Sequence, residues 1–276
     1  MKVFTFFYNR YDTATTSRAL HESGISHYVM IHNQQDCDKF VAGNTLHGQP
    51  VITNNPKGLA HQRNSALAMM QPGEWAAFLC DDFEKIMSFP PAWITGKTSR
   101  INITAENQNR FRLSNHIQMT LAQMFDLFPY LTSIAEKSGI HLIGFGLHDN
   151  PRNLARKFTT KGLADGRFWL VRKSTYEFDV NAQLIDDVAW TAENIVRHKK
   201  VMVLNWLVPY FKRYTAGGFG STTERKERRR KECSYLVAKY APLIRFAAKP
   251  GWDSGTHIKI NASDKNIEIM RKRFGI

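Results

Sequence analysis

The chain has 276 residues, of which 43% are hydrophobic, enough to bury the core of one large α/β domain or two small ones. Three scattered cysteines exclude a disulfide framework and a zinc motif of paired cysteines, so a reducing cytoplasm is expected. No apolar run approaches the length that crosses a bilayer, so we expect no membrane partner.

The net charge of +14 is concentrated towards the C-terminus. Residues 1–196 carry 19 Lys and Arg against 18 Asp and Glu, whereas residues 197–276 carry 19 against 6. This asymmetry favours a surface for a polyanion, either nucleic acid or an anionic membrane, over a face that is merely solvated. A basic helix is predicted over 224–240, and its candidate phosphate contacts are Arg228, Arg229, Arg230 and Lys231.

The first part of the chain alternates between apolar strands and helices. Strands are predicted over 2–8, 26–31, 50–53 and 75–79, and helices over 15–23 and 58–70. A strand, a helix and a strand within about 30 residues form a βαβ unit. Asn9 and Arg10 lie at the carboxyl end of the first strand.

Two adjacent carboxylates, Asp81 and Asp82, follow the buried strand over 75–79. Ligands of open α/β sheets gather at the carboxyl ends of such strands. Neighbouring carboxylates repel each other unless a cation lies between them, and a divalent ion that prefers oxygen ligands can also carry a diphosphate. The alternative is an acidic turn after a strand.

Arg63 and Asn64 lie in the first turns of the helix predicted over 58–70. A helix N-terminus with an arginine nearby favours anionic groups, so both residues are candidate phosphate ligands. The alternative for Arg63 is an exposed side chain on an amphipathic helix.

The apolar pattern in the middle of the chain predicts one helix and three further strands. The helix covers 114–138, and Pro129 should kink or split it. The strands cover 141–147, 168–171 and 201–207.

A second acidic pair, Asp186 and Asp187, opens a helix. Asp186 is either a plain N-cap or part of a functional pair, and Asp187 lies where the helix dipole favours the ionised carboxylate. A glycine-rich loop over 215–222 follows, and its glycines would let backbone N–H groups approach phosphates.

The order of these motifs resembles that of nucleotide-sugar glycosyltransferases with the GT-A fold. The resemblance covers residues 2–222 and rests on the Gly-x-x-x-x-Arg-Asn-x-Ala-Leu helix at 58–67 and on the two acidic pairs. It implies an α/β, Rossmann-like GT-A domain over 1–222 with a mostly parallel central sheet flanked by helices. Residues 223–276 would form a basic helical extension packed on the same domain.

Within that fold, the late acidic helix, the following hydrophobic strand and the Gly-Gly loop are most similar to one branch. It comprises the DNA glycosyltransferases related to the base J glucosyltransferase, often of bacteriophage origin, which attach a sugar to 5-hydroxymethylpyrimidines. This implies a nucleotide-sugar donor, foremost a UDP-sugar, a DNA acceptor, Mn²⁺ or Mg²⁺, and the host cytoplasm if a phage encodes the chain.

The resemblance also implies roles for individual residues. Asp82 would bind the metal, with His257 as the candidate second ligand. Asp187 would be the base that deprotonates the acceptor in an inverting transfer, with His148 or Asp149 next in line. The nucleotide-sugar would be bound by Asn9, Arg10, Arg63, Asn64, Asp81, Gly217 and Gly218.

Two other functions stay open at this point. The first keeps the GT-A fold but transfers the sugar to a lipid carrier or a glycan, so that the basic region faces anionic lipid. The second is a non-enzymatic nucleic-acid-binding module in which the acidic pairs are only caps and turns.

Overall fold

A computed structural model of the protein describes residues 1–7, 14–43, 46–88, 117–146, 158–211, 222–248 and 255–276. The strands are β1 (Lys2–Phe6), β2 (Tyr28–Ile31), β3 (Gln49–Ile52), β4 (Trp75–Cys80), β5 (Phe83–Ser88), β6 (Ile117–Met119), β7 (Leu142–Phe145), β8 (Phe158–Thr159), β9 (Phe168–Arg172), β10 (Met202–Leu204), β11 (Leu207–Phe211), β12 (Ile244–Phe246) and β13 (Ile258–Ile260). The helices are α1 (Thr15–Glu22), α2 (Gln34–Ala42), α3 (Leu59–Ala68), α4 (Leu121–Lys137), α5 (Asp186–His198), α6 (Thr222–Tyr240) and α7 (Asp264–Arg273).

The central sheet has eight strands in the order β3-β2-β1-β4-β9-β7-β10-β8. Six of them run in one direction, whereas β9 and β8 are antiparallel to their neighbours. The predicted α/β class with a mostly parallel, Rossmann-like sheet is therefore confirmed. The sequence did not predict the reversed direction of β9.

Two smaller sheets complete the described strands. One is antiparallel with the order β11-β5-β6, and the other pairs β12 with β13. The single strand predicted over 201–207 is wrong, because the chain turns at Asn205 and Trp206 and β11 leaves the central sheet to pair with β5. Strand β10 and most of β11 are buried, so the sequence over 201–207 is apolar on both sides of the turn and does not indicate where one strand ends.

The side chains of the central strands alternate between two buried clusters. Phe4 and Trp169 belong to one cluster, whereas their neighbours Val3 and Phe168 belong to the other. The C-terminal region contributes to the first cluster with Cys233, Leu236, Tyr240, Leu243, Ile244, Ile258, Ile267 and Met270. Residues after α5 therefore share a core with the central sheet, while a domain boundary at residue 222 stays a prediction.

Helix α4 is continuous through Pro129, so the predicted split is wrong, while the alternative of a kink at this residue stays a prediction. The helix buries a stripe made of Leu121, Met124, Phe128, Leu131 and Ala135. This i, i+3, i+4 spacing packs one face on the core on both sides of the proline, which outweighs the missing N–H. Among the described helices, none combines the length and apolar composition needed to span a membrane.

Candidate active site at the edge of the central sheet

The carboxyl ends of the parallel strands meet at one edge of the central sheet, which we call the site edge. Strand β4 ends there at Cys80 and is followed by Asp81 and Asp82. Because β9 is antiparallel to β4, its amino end lies at the same edge. The backbone N–H of Cys80 donates to the carbonyl of Arg167 over 2.9 Å. The turn that precedes β9 therefore lies beside the first acidic pair.

Helix α1 holds the turn that carries Asp81 and Asp82. The hydroxyl of Thr16 donates to the carbonyl of Cys80 over 2.5 Å and accepts from the backbone N–H of Phe83 over 2.9 Å. The backbone N–H of Thr16 also donates to the carbonyl of Asp81 over 3.3 Å. Asp81 is buried and Asp82 is half-buried, so Asp82 is the more accessible carboxylate of the pair.

Arg63 lies inside the protein, and this corrects both interpretations of its side chain. The residue is 1% exposed, and its guanidinium lies over the ring of Trp169 with 4.4 Å to the ring centroid. Nη1 donates to the carboxylate of Asp186, and Nη2 donates to the carbonyl of Gly166. Arg63 is thus neither exposed nor presented to a nucleotide; it connects α3 with the start of α5 and with the turn before β9.

Asn64 is half-buried and binds the backbone of another segment. Its Oδ1 accepts from the backbone N–H of Phe178 over 2.7 Å, and its Nδ2 donates to the carbonyl of the same residue over 3.0 Å. Asn64 thus fixes the segment before α5, and its predicted role in binding a nucleotide-sugar stays a prediction.

Asp186 is the first residue of α5, and the N-cap is Ile185, so the interpretation of Asp186 as a plain cap is wrong. The Asp186 carboxylate turns inward to Arg63 instead. Burial raises the pKa of Asp186 to about 6, although the positive charge of Arg63 acts in the opposite direction. Above that pH the two residues form a buried ion pair between α3 and α5.

Asp187 occupies the second position of α5 and is half-buried. Its Oδ1 accepts from the backbone N–H of Val188 over 2.8 Å. A Cβ atom added to Gly166 would lie 3.0 Å from the Cβ of Asp187, which shows how closely the turn before β9 approaches α5. The turn before β9 thus lies close to the predicted base and is bonded to the end of the strand that precedes the first acidic pair.

Burial raises the pKa of Asp187 to about 7, and the negative charges of Asp165 and Asp186 contribute to the rise. The expected support of the ionised form by the helix dipole is outweighed by desolvation and by these two carboxylates. A carboxylate with this pKa gains and loses a proton near neutrality. That is the property required of a general base or acid.

The sequence analysis did not identify Asp165 and Arg167 as site residues. Arg167 donates to the Asp165 carboxylate from Nε over 2.6 Å and from Nη2 over 3.0 Å, which is a bidentate pair. Its place at the site edge depends on the reversed direction of β9, which an apolar run does not reveal.

Helix α6 packs against the segment that leads into α5. The buried carboxylate of Glu232 accepts from the backbone N–H of Leu184 over 2.7 Å and from Nε of Arg228 over 2.9 Å. Arg229 is half-buried and donates from Nε to the carbonyl of Thr256 over 2.8 Å. The four predicted DNA contacts are therefore divided, since Arg228, Arg230 and Lys231 are exposed and Arg229 turns inward.

The two predicted metal ligands, Asp82 and His257, are both half-buried. Within the described ranges, no group of three or more His, Cys, Asp and Glu side chains could hold one metal ion. Magnesium at nucleotide sites, however, uses one or two carboxylates and takes its other ligands from phosphates and water. Asp82 fits a site of that kind, and a role for His257 stays a prediction.

Six predicted residues lie outside the part of the chain that the structure describes. They are Asn9, Arg10, Gly217, Gly218 and the two alternative bases, His148 and Asp149. Their proposed contacts with a nucleotide-sugar or an acceptor stay predictions.

Comparison of the chain with models of known protein families and with curated proteins gave no match. The function is therefore inferred from the site edge itself. It combines an accessible carboxylate, Asp82, with a carboxylate of pKa about 7, Asp187, next to a basic helix, α6.

Proposed function

We propose that the protein is a metal-dependent, inverting GT-A glycosyltransferase that moves a sugar from a nucleotide-sugar to the hydroxymethyl group of a modified pyrimidine in DNA. The observation that carries the proposal is the position of Asp187, a half-buried carboxylate with a pKa of about 7 at the site edge. An accessible carboxylate for a divalent cation, Asp82, follows β4 at the same edge. A proton acceptor and a site for the diphosphate are the two parts that such a transfer needs.

In the proposed reaction Asp187 acts on the acceptor. A primary hydroxyl is a weak nucleophile, so Asp187 takes its proton while the oxygen bonds to the anomeric carbon of the sugar. The bond from that carbon to the diphosphate oxygen breaks, and its electron pair leaves with the diphosphate. A divalent ion held by Asp82 would supply positive charge to the leaving group. One displacement of this kind inverts the anomeric configuration.

The choice of DNA as the acceptor rests on α6 and on the charge excess after residue 196. Five basic side chains of α6 are exposed: Arg225, Lys226, Arg228, Arg230 and Lys231. The same helix holds Leu184, two residues before α5, through Glu232. Phosphates bound to the outer face of α6 would thus lie next to the helix that carries the base. An acceptor in a duplex would have to leave the base stack to reach Asp187.

The test is mass spectrometry of nucleosides from hydroxymethylated DNA incubated with the protein, manganese and a panel of nucleotide-sugars. We expect one donor to give a glycosylated nucleoside with inverted linkage. Asp187→Asn should lower the rate by about two to four orders of magnitude while the affinity for the donor is kept. The matched control is Asp126→Asn, an exposed carboxylate on α4, which should leave the rate unchanged.

Other outcomes would select the other functions. Metal-dependent hydrolysis of a nucleotide-sugar with no transfer to DNA, together with transfer to a lipid carrier or glycan, would keep the enzyme class and change the acceptor. DNA binding with neither hydrolysis nor transfer would indicate a binding module. A product with retained linkage would show that Asp187 is not the base of a single displacement.

A further inference from the structure

The two-stranded sheet of β12 and β13, which we call the C-terminal ribbon, holds two basic side chains opposite each other. Its antiparallel register pairs Arg245 with Lys259. Both residues are exposed, whereas their neighbours Ile244 and Ile258 are buried in the core. Because side chains alternate between the two faces of a strand, Arg245 and Lys259 lie side by side on the outer face of the ribbon.

This arrangement is unfavourable for the protein alone. Directly opposed residues of an antiparallel pair have Cβ atoms about 5 Å apart, and like charges at such positions destabilise a sheet. Neither Arg245 nor Lys259 forms an ion pair within the described ranges. Asp264 and Glu268, the two acidic residues described after α6, are bound to lysines of other segments over 2.6 and 2.9 Å. An anion held between the two cations would remove the repulsion.

The ribbon lies next to the basic helix α6. Arg229 donates from Nε to the carbonyl of Thr256 over 2.8 Å, and a Cβ atom added to Gly255 would lie 3.6 Å from Cγ of the exposed Arg230. A fully extended chain advances at most about 3.6 Å per residue, so the Cα of Lys259 lies within about 14 Å of the Cα of Gly255. Duplex DNA carries one charge per about 1.7 Å of its axis, so one duplex can contact both elements.

We propose that the C-terminal ribbon is a second phosphate-binding element, in which Arg245 and Lys259 together bind one backbone phosphate of the DNA that lies along the outer face of α6. The choice of DNA as the partner rests on the proposed function. A phosphate contact carries no base specificity but fixes the register and orientation of a protein on the duplex. Contacts on the ribbon and on α6 together restrict that orientation more than contacts on the helix alone.

The first experiment measures the salt dependence of binding to an unmodified duplex of about 20 base pairs by fluorescence anisotropy. Arg245→Gln combined with Lys259→Gln should reduce the log–log slope by about 0.9, which corresponds to one phosphate contact. The matched control combines Lys57→Gln with Lys137→Gln. It removes the same charge from exposed residues of other segments and should leave the slope unchanged.

The second experiment tests the cross-strand pair without any ligand. Lys259→Glu places a carboxylate opposite Arg245, so it should raise the urea midpoint of unfolding while it reduces the salt slope of DNA binding. Adding Arg245→Glu to Lys259→Glu places two like charges opposite each other again and should lower the midpoint below that of Lys259→Glu alone. Additive effects of the two substitutions on the midpoint would overturn the placement of both side chains on one phosphate.

The inference is also overturned if the double glutamine variant keeps the wild-type salt slope, or if the control variant reduces the slope equally. Loss of binding to phosphatidylserine vesicles in the double glutamine variant, with its DNA slope unchanged, would assign the ribbon to anionic lipid instead. A slope that depends on the ribbon, in a protein that transfers no sugar from any donor, would overturn the proposed function and leave the ribbon standing. Sugar transfer to hydroxymethylated DNA with an unchanged slope would do the reverse, so the two failures are distinguishable.

Discussion

Replacing Arg63 with Met removes the cation that faces Asp186 inside the protein. Asp186 is 6% exposed, and its pKa of about 6 instead of 3.8 already corresponds to roughly 3 kcal/mol of unfavourable ionisation in the folded state. Breaking a buried ion pair on one side typically costs about 3–5 kcal/mol. Because Arg63→Met also loses the bond to the carbonyl of Gly166, we expect the free energy of unfolding to fall by about 3–5 kcal/mol at pH 8.

The loss of stability caused by Arg63→Met should depend on pH. Without Arg63, the pKa of Asp186 in the folded state should rise further above its value in the unfolded chain. A group of this kind stabilises the fold below its unfolded pKa, and that contribution is lost as the pH rises through its folded pKa. The loss caused by Arg63→Met should thus be smaller at pH 5.5 than at pH 8. Arg63→Met combined with Asp186→Asn should be less destabilising at pH 8 than Arg63→Met alone.

Urea unfolding followed by far-ultraviolet circular dichroism at both pH values measures these differences. The matched control is Lys199→Met, which breaks the exposed pair with Glu268 and should give no measurable change at either pH. An equal loss at pH 5.5 and pH 8 would refute the argument that an unpaired Asp186 carboxylate causes it. So would a double variant that is less stable at pH 8 than Arg63→Met.

Two further predictions concern the first acidic pair and the start of α3. Asp82→Ala should abolish the manganese-dependent part of nucleotide binding in calorimetric titration; unchanged affinity would exclude Asp82 as a metal ligand. Gly58→Ala should destabilise the fold more than Gly139→Ala in the same urea assay, because its Cβ would lie 2.5 Å from the Gln183 side chain that accepts from the first turn of α3, whereas Gly139 has open space. Equal losses would show that Gln183 moves away without cost.

The sequence predicted the parts of the fold that depend on burial alone. The apolar runs at 75–79 and 168–171 are strands because both faces of the central sheet are covered, and buried residues on both faces leave an uninterrupted apolar signal. The same property hid the break between β10 and β11 and the direction of β9. Strand direction depends on which strands become neighbours, and that information is not contained in a local run.

The sequence identified the acidic residues of the candidate site. It did not identify the charged groups that surround them or the pKa values that result. Asp81 and Asp82 were identified because they follow a buried strand, where ligands of open α/β sheets gather, whereas the role of Asp187 was implied by the resemblance. Arg63 was misjudged because an arginine on a helix is ordinarily solvated, whereas the aromatic rings of Phe6, Trp169 and Phe178 surround it here. The pKa of Asp187 depends on Asp165, which is distant in sequence, so it could be found only from the three-dimensional structure.

The position of β9 between β4 and β7 has a consequence for how the chain folds. Strand β9 follows both of its neighbours in sequence, so β4 and β7 each have an open edge until β9 is inserted. Open strand edges are templates for association, and pairings between distant segments form slowly. A nascent chain ending near residue 145 would therefore need protection from aggregation. Because insertion of β9 also delivers Asp165 and Gly166 to α5, the raised pKa of Asp187 should appear only when the sheet is complete, as a late marker of folding.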